Sequence, residues 1–291
     1  MNKKSIKLSK EIISYYDEGE GPLILLIHGN TSSSYFYVPL IEKLRVNHRV
    51  IAPDLRGYGD SSYNHRFDTL KELAEDIYEL LKALKLEKLV VVGWSLGGGV
   101  ALELVANHLE VASHLFLLNS TTYKGFPLFM KDEKGQQIIG KAYQTKEEMA
   151  NDPINVAPML NIIASKNKQF MDFILKKSIY TVNEPEATYQ EQCVEECLKQ
   201  RSLVDSDWAI SRINMGSEPS AYSLGSNTIQ NITIPTYVTQ GDKDLLVSET
   251  MVNDNVLALK AKKIVYSPCG HSPIVDCLDL VYADILELEK A

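Results

Sequence analysis

At 291 residues, with 45% hydrophobic and 23% charged residues, the chain has the composition of a folded protein with a sizeable core, which excludes the disordered and fibrous classes. A net charge of -8 argues against nucleic acid or an anionic membrane as the main partner, and no stretch approaches the ~18 apolar residues of a bilayer span or follows the early lysines as a secretory signal would. The four cysteines, Cys193, Cys197, Cys269 and Cys277, are too few and too late for a disulfide framework, so a cytoplasmic protein with reduced thiols is expected.

Residues 5 to 17 read as an antiparallel strand pair that ends in a turn at Asp17 to Pro22. Leu23 to Ile27 is a continuous apolar strand, and the polar loop His28 to Ser34 should feed a helix from about Tyr35 to Arg45. Arg49 to Ala52 is a second buried-type strand, stopped by Pro53 and followed by the loop Asp54 to Ser61. Thr69 and Glu72 have the spacing of a capping box, and Leu70, Leu73, Ile77, Leu80, Leu81 and Leu84 recur at helical intervals behind them. Leu89 to Gly93 is an unbroken apolar run leading into Gly93-Trp94-Ser95-Leu96-Gly97. A strand should therefore bend sharply at Ser95 into a helix reaching about residue 107. The strand His114 to Leu118 follows.

Strands apolar on both faces that alternate with helices predict a mostly parallel sheet covered on both sides. From about Thr121 to Ser226 that alternation stops: helical patches and five prolines appear, without a recognisable strand. It resumes with the strand 234 to 240, a helix near 249 to 259, the strand Lys263 to Tyr266 and a last helix from about Ile274 to Glu289. The expected organisation is a core of residues 1–120 and 226–291 with a helical insertion, residues 121–225. That insertion would lie over the carboxyl ends of the strands, where open α/β sheets bind ligands.

A serine needs a base within hydrogen-bond reach and a third group to orient that base. His271 is the candidate base, because the loop Ser267 to Pro273 lies directly after the last strand. The other histidines fall at helix ends, before strands or in loops, while His28 suits a structural or oxyanion-loop role. Two carboxylates, Asp242 and Asp244, stand on the loop after the strand 234 to 240. Asp242 is suited to bonding the turn, so Asp244 is assigned to orient the histidine, with Asp242 as the alternative. The chain order Ser, Asp, His is that of the hydrolases. Backbone amides of Leu96 and Asn30 would receive the oxyanion.

His28-Gly29, Asp54-x-x-Gly57-x-Gly59-x-Ser61, Gly93-Trp94-Ser95-Leu96-Gly97, Gly241-Asp242-Lys243-Asp244 and Gly270-His271-Ser272-Pro273 together resemble the α/β-hydrolase superfamily, in its small capped esterase, lactonase and haloperoxidase-like members. The resemblance covers residues ~12 to 120 and ~226 to 291. It implies an α/β-hydrolase fold with an eight-stranded, mostly parallel sheet and a catalytic triad of Ser95, Asp244 and His271. Ser248 stands where the pattern often has proline. Asn119-Ser120 carries no acid at a strand end that some members use instead, which strengthens the choice of the 242 to 244 loop.

The expected activity is cofactor-independent hydrolysis, with no metal, of a small-molecule carboxylic ester, lactone or thioester with an apolar acyl part. Alternatives are an acyl-homoserine-type lactonase, a carbon–carbon bond hydrolase and, from another class, a ligand-binding receptor. Cys193 and Cys197, one helical turn apart, are read as buried small hydrophobes, and Cys269 as structural. Methionines 130, 149, 159, 171 and 215 are read as packing within the insertion, with an adaptable acyl pocket as the sharper version. Tyr123, Phe126, Phe129 and Trp208 are further candidates to line it, and Lys166-Asn167-Lys168 is read as a solvated helix face.

Overall fold

The computed structural model describes all residues, 1–291. In chain order the strands and helices are β1 (Lys4–Lys7), β2 (Ile12–Glu18), β3 (Leu23–Ile27), α1 (Val38–Leu44), β4 (Arg49–Pro53), α2 (Leu70–Leu84), β5 (Leu89–Trp94), α3 (Leu96–Asn107) and β6 (Ala112–Leu118). Then come β7 (Phe129–Lys131), β8 (Gln137–Ala142), α4 (Lys146–Ala150), α5 (Ala157–Ala164), α6 (Lys168–Ser178), α7 (Ala187–Cys197) and α8 (Leu203–Arg212). The chain closes with β9 (Thr236–Gly241), α9 (Glu249–Leu259), β10 (Lys262–Tyr266), α10 (Pro273–Asp276) and α11 (Leu278–Leu288).

Eight strands form one sheet in the order β1-β2-β4-β3-β5-β6-β9-β10. The pairs β1 with β2 and β2 with β4 are antiparallel, and the rest are parallel. Period-two alternation divides the apolar residues between two faces. Leu25, Ile27, Ile51 and Val91 face α2, α3 and α9, whereas Ile24, Leu26, Val50, Val90 and Val92 face α1 and α11. That division explains why the central strands read as unbroken apolar runs: both faces are covered.

The capping box forms as expected. The Glu72 amide donates to Thr69 Oγ1 (3.3 Å), and the Thr69 amide donates back to Glu72 Oε2 (3.1 Å). The helix then ends at Lys85 in a left-handed conformation. Ser248, standing where proline was expected, caps α9 by accepting from the Met251 amide.

Three expectations need correction. The segment between β6 and β9 does contain strands, since β7 and β8 pair antiparallel in a separate two-stranded sheet. Their alternation was hidden because β8 is exposed along most of its length, so no apolar face marks it. The helix expected over 35 to 45 begins as a 3-10 turn, Ser34–Tyr37, capped by Ser33. The last helix is broken at Cys277 into α10 and α11. No helix is long and apolar enough to cross a membrane.

Candidate active site

Strand β5 is buried throughout, and it delivers the chain to Ser95 with φ 53 and ψ -121. A side-chain-bearing residue rarely adopts a positive φ, so the surroundings must over-determine it. They do so through the backbone. The Ser95 amide donates to Leu118 O (3.2 Å), and Ser95 O accepts from the amides of Gly98 (3.0 Å) and Thr121 (3.2 Å). The adjacent glycines leave room for this bend: a Cβ on Gly93 would lie 2.5 Å from Gly97 O, and one on Gly97 would lie 2.2 Å from Ile27 O.

His271 sits in the loop between β10 and α10 and is buried. Its Nδ1 lies 2.9 Å and 3.0 Å from the two carboxylate oxygens of Asp244. A carboxylate offers only acceptor sites, so Nδ1 carries the ring proton and Nε2 is left with its lone pair. Asp244 is itself held by the amides of Leu246 (2.8 Å) and Val247 (3.0 Å), and by Asn119 Nδ2 (3.1 Å). Leu246 and Val247 thus hold the acid through their main chain, while Leu245 beside it is exposed.

Asp242, the alternative acid, bonds the Cys269 amide (2.9 Å) and the Ser267 hydroxyl (2.8 Å), and these partners hold its carboxyl below the ordinary value. It ties the two loops together without touching His271.

Asn30 lies on the loop after β3, and its side chain is held by four hydrogen bonds. Its Nδ2 donates to Asp207 Oδ1 (2.8 Å), while its Oδ1 accepts from Tyr58 (2.9 Å), Gln200 (2.9 Å) and the Thr31 amide (3.0 Å). Leu96 opens α3 directly after Ser95, where first-turn amides lack partners within the helix. His28 is structural: the Leu55 amide donates to its Nε2 (3.0 Å), so its Nδ1 donates to Gly29 O (2.8 Å). Burial pushes its pKa down to about 4, which keeps it neutral.

Ser95, His271 and Asn30 line one cavity of about 420 Å³. Its other walls are mostly apolar and come largely from the segment between β6 and β9, including Phe126, Met159, Met171, Leu175 and Ile210. Of the five methionines in that segment only Met159 and Met171 reach the cavity, so the packing reading holds for Met149 and Met215, which are buried in the core. Phe126 lines the cavity, whereas Tyr123, Phe129 and Trp208 do not; the Arg212 guanidinium covers the Trp208 ring. The other four histidines do not reach it. Cys193 and Cys197 are buried and unpaired in the apolar cluster, and Cys269 is buried with its sulfur 3.1 Å from that of Cys277. Lys166 and Lys168 are exposed, and Asn167 between them caps α6.

Sequence reasoning missed three positioning groups. Asn119 donates to both Asp244 and Gly270 O (2.9 Å), and its Oδ1 accepts from Thr239 (2.9 Å), so it clamps the acid loop to the histidine loop. The signal was present, because Asn119 ends β6 beside the loop that carries the acid. The indole of Trp94 donates to His271 O (2.8 Å) and stacks on Phe36. Asp207 has no sequence signature at all: its placement follows only from how α8 packs.

The comparisons agree with this architecture. Residues 22–160 match the family described as alpha/beta hydrolase fold. An uncharacterised protein of Mycobacterium bovis is 36% identical over 102 residues, which is 35% of this chain and 30% of that protein, so the match spans under a third of that curated relative. Among solved structures, an esterase from Exiguobacterium antarcticum superposes with a TM-score of 0.75 at 19% identity, covering 99% of both chains. A bromoperoxidase from Bacillus anthracis superposes with a TM-score of 0.76 at 18% identity, covering 100% of both. With the elbow, the strand order and these likenesses in agreement, the chain is an alpha/beta-hydrolase-fold protein.

Proposed function

We propose that the protein is a serine hydrolase of carboxylic esters, lactones or thioesters with an apolar acyl part. The single observation that carries this reading is that the strained Ser95 opens onto the same apolar cavity as His271, whose Nδ1 is held by Asp244. The likeness to an esterase supports the same class of chemistry.

In this mechanism Ser95 Oγ attacks the substrate carbonyl carbon, and His271 Nε2 takes the hydroxyl proton as the new C–O bond forms. Asp244 keeps the imidazole in the tautomer that leaves Nε2 basic and stabilises the imidazolium. The amides of Asn30 and Leu96 receive the negative charge that develops on the carbonyl oxygen. Fixed donors in a site poor in water require no reorganisation as that charge appears, and losing one such donor costs about 2.7–4 kcal/mol. Collapse of the tetrahedral intermediate expels the alcohol, which takes the proton from His271. A water molecule, deprotonated by the same nitrogen, then releases the acid from Ser95. No hydrogen bond joins Ser95 Oγ to His271, and catalytic hydrogen bonds of this kind commonly form only in the complex with substrate. In this reading the segment 121–225 is a cap that supplies the acyl pocket.

The test is labelling by a fluorophosphonate probe together with turnover of p-nitrophenyl esters of increasing chain length. The expected result is covalent labelling of folded wild type, none in Ser95→Ala, and turnover of at least the short and medium esters. Labelling that persists in Ser95→Ala removes the nucleophile assignment. Tight ligand binding without turnover at any length favours the receptor alternative.

A further inference from the structure

The cavity contains one carboxyl group that the proposed chemistry does not use. Asp207 projects from α8 into the wall shared with Ser95, His271 and Asn30. The residue is 9% exposed, and the only hydrogen bond of its carboxyl group within the chain is the one Oδ1 accepts from Asn30 Nδ2 at 2.8 Å. Oδ2 has no protein partner, and Asp207 is one of the residues that line the cavity. A buried polar atom in a mostly apolar chamber is costly unless it meets a hydrogen-bonding group. No lysine or arginine lines the chamber to pair with it.

Resting on the serine hydrolase reading, we propose that Asp207 is a specificity-determining residue that selects esters carrying a hydroxyl group on the Asn30 side of the reacting carbonyl. Three chemistries could meet Oδ2. An anionic group is repelled by the carboxylate and finds no cation in the walls. An ammonium would have to leave water for a chamber with a single charge partner, a desolvation that such a pair repays poorly. A hydroxyl is neutral and both donates and accepts, so it bonds the carboxylate and the carboxylic acid alike. That versatility suits this site. Burial pushes the Asp207 carboxyl up to about 7, so both protonation states are populated near neutral pH.

The position relative to the chemistry follows from Asn30. If its main-chain amide receives the oxyanion, its side chain places Asp207 one hydrogen bond away from that point. A substrate hydroxyl within a few carbons of the carbonyl would then lie within reach.

The test is a set of p-nitrophenyl esters of straight five-carbon acids, unsubstituted or bearing one hydroxyl at C2 or C3, positions from which it cannot close a five- or six-membered lactone by displacing p-nitrophenol. For each ester kcat/KM is measured with wild type, Asp207→Leu and Asp207→Asn. The expected result is that wild type favours at least one hydroxylated ester over the plain one by about tenfold, the worth of one well-placed buried hydrogen bond. In Asp207→Leu that ratio collapses to within about twofold, because the polar partner is gone. Asp207→Asn keeps an acceptor for Asn30 and a donor for the hydroxyl, so it retains part of the ratio and covers the case in which the leucine variant does not fold.

The inference is overturned if wild type prefers no hydroxylated ester, or if the ratio survives in both variants. It is equally overturned if both classes of ester lose turnover in proportion, since Asp207 would then act only by holding Asn30. If wild type cleaves no ester at all, the hydrolase reading itself fails, an outcome distinct from cleavage without a hydroxyl preference.

Discussion

Asp242 and Asp244 stand two residues apart on one loop, and only their partners separate their roles. Asp244 is buried against His271, Asn119 and two amides, whereas Asp242 faces outward and bonds the Cys269 amide and Ser267. Asp244→Asn keeps the shape of the side chain, but its amide nitrogen competes for the proton position on Nδ1 and favours the wrong tautomer. A fall in kcat on the order of 10³–10⁴-fold is expected, with little change in melting temperature. Asp242→Asn should keep kcat/KM within about tenfold, because one neutral acceptor still bonds the Cys269 amide. Steady-state ester hydrolysis by the two variants checks both; equal losses would mean that the pairing seen at His271 does not operate in catalysis.

Among the elements, the turn from β5 into α3 tolerates the least change. Gly97 packs on the end of β3, and a Cβ there would lie 2.2 Å from Ile27 O and 2.4 Å from His28 O. Both are backbone atoms, of the last residue of β3 and of the residue after it, and cannot rotate away as a side chain would. Gly97→Ala must therefore push α3 off β3, in the direction that separates Ser95 from the Asn30 loop. A loss of about 1–3 kcal/mol in stability is expected from such overpacking, together with a drop in kcat larger than the rise in KM. Chemical denaturation and steady-state kinetics on the same preparation measure the two effects. An alanine variant with wild-type stability would show that β3 and α3 can separate without cost.

For the whole molecule, the segment between β6 and β9 is tied to the loops at the strand ends by polar links as well as apolar contacts. Asn30 bonds Asp207 and Gln200, Tyr58 reaches Ser206, Arg66 bonds the buried Asp205, and Lys146 pairs with Asp68. Folding therefore buries the Asp207 carboxyl, and that burial couples stability to pH. Its folded pKa of about 7 is above the ordinary 3.8, so between those values the folded state holds more protons than the unfolded one. The stability that this group contributes is present below about pH 4 and is lost as the pH rises towards 7, by at most about 1.4 kcal/mol per pH unit. Asp207→Asn removes that dependence. Relative to wild type, the variant should gain stability between pH 5 and pH 7.5 in paired denaturant titrations. Parallel curves for the two proteins would mean that the carboxyl is not held in its protonated form by folding.

The sequence by itself determined the elements of the eight-stranded sheet, its parallel character and the sharp strand-to-helix bend at Ser95, because each rests on local chemistry. Apolar runs cover both sheet faces, a capping box starts α2, and glycines are required where backbones touch at the elbow. It also brought His271 and the loop of Asp244 to strand ends, where reach to Ser95 is a matter of topology. Only the tertiary structure decided which of two nearby carboxylates meets the histidine, that Asn119 clamps their loops, and that Asp207 looks into the cavity. Those contacts join residues from 27 to 177 positions apart, and no local pattern encodes the packing of α8 that brings Asp207 to Asn30. The exposed hairpin of β7 and β8 escaped notice for the converse reason: without a buried face, a strand leaves no periodic mark in its sequence.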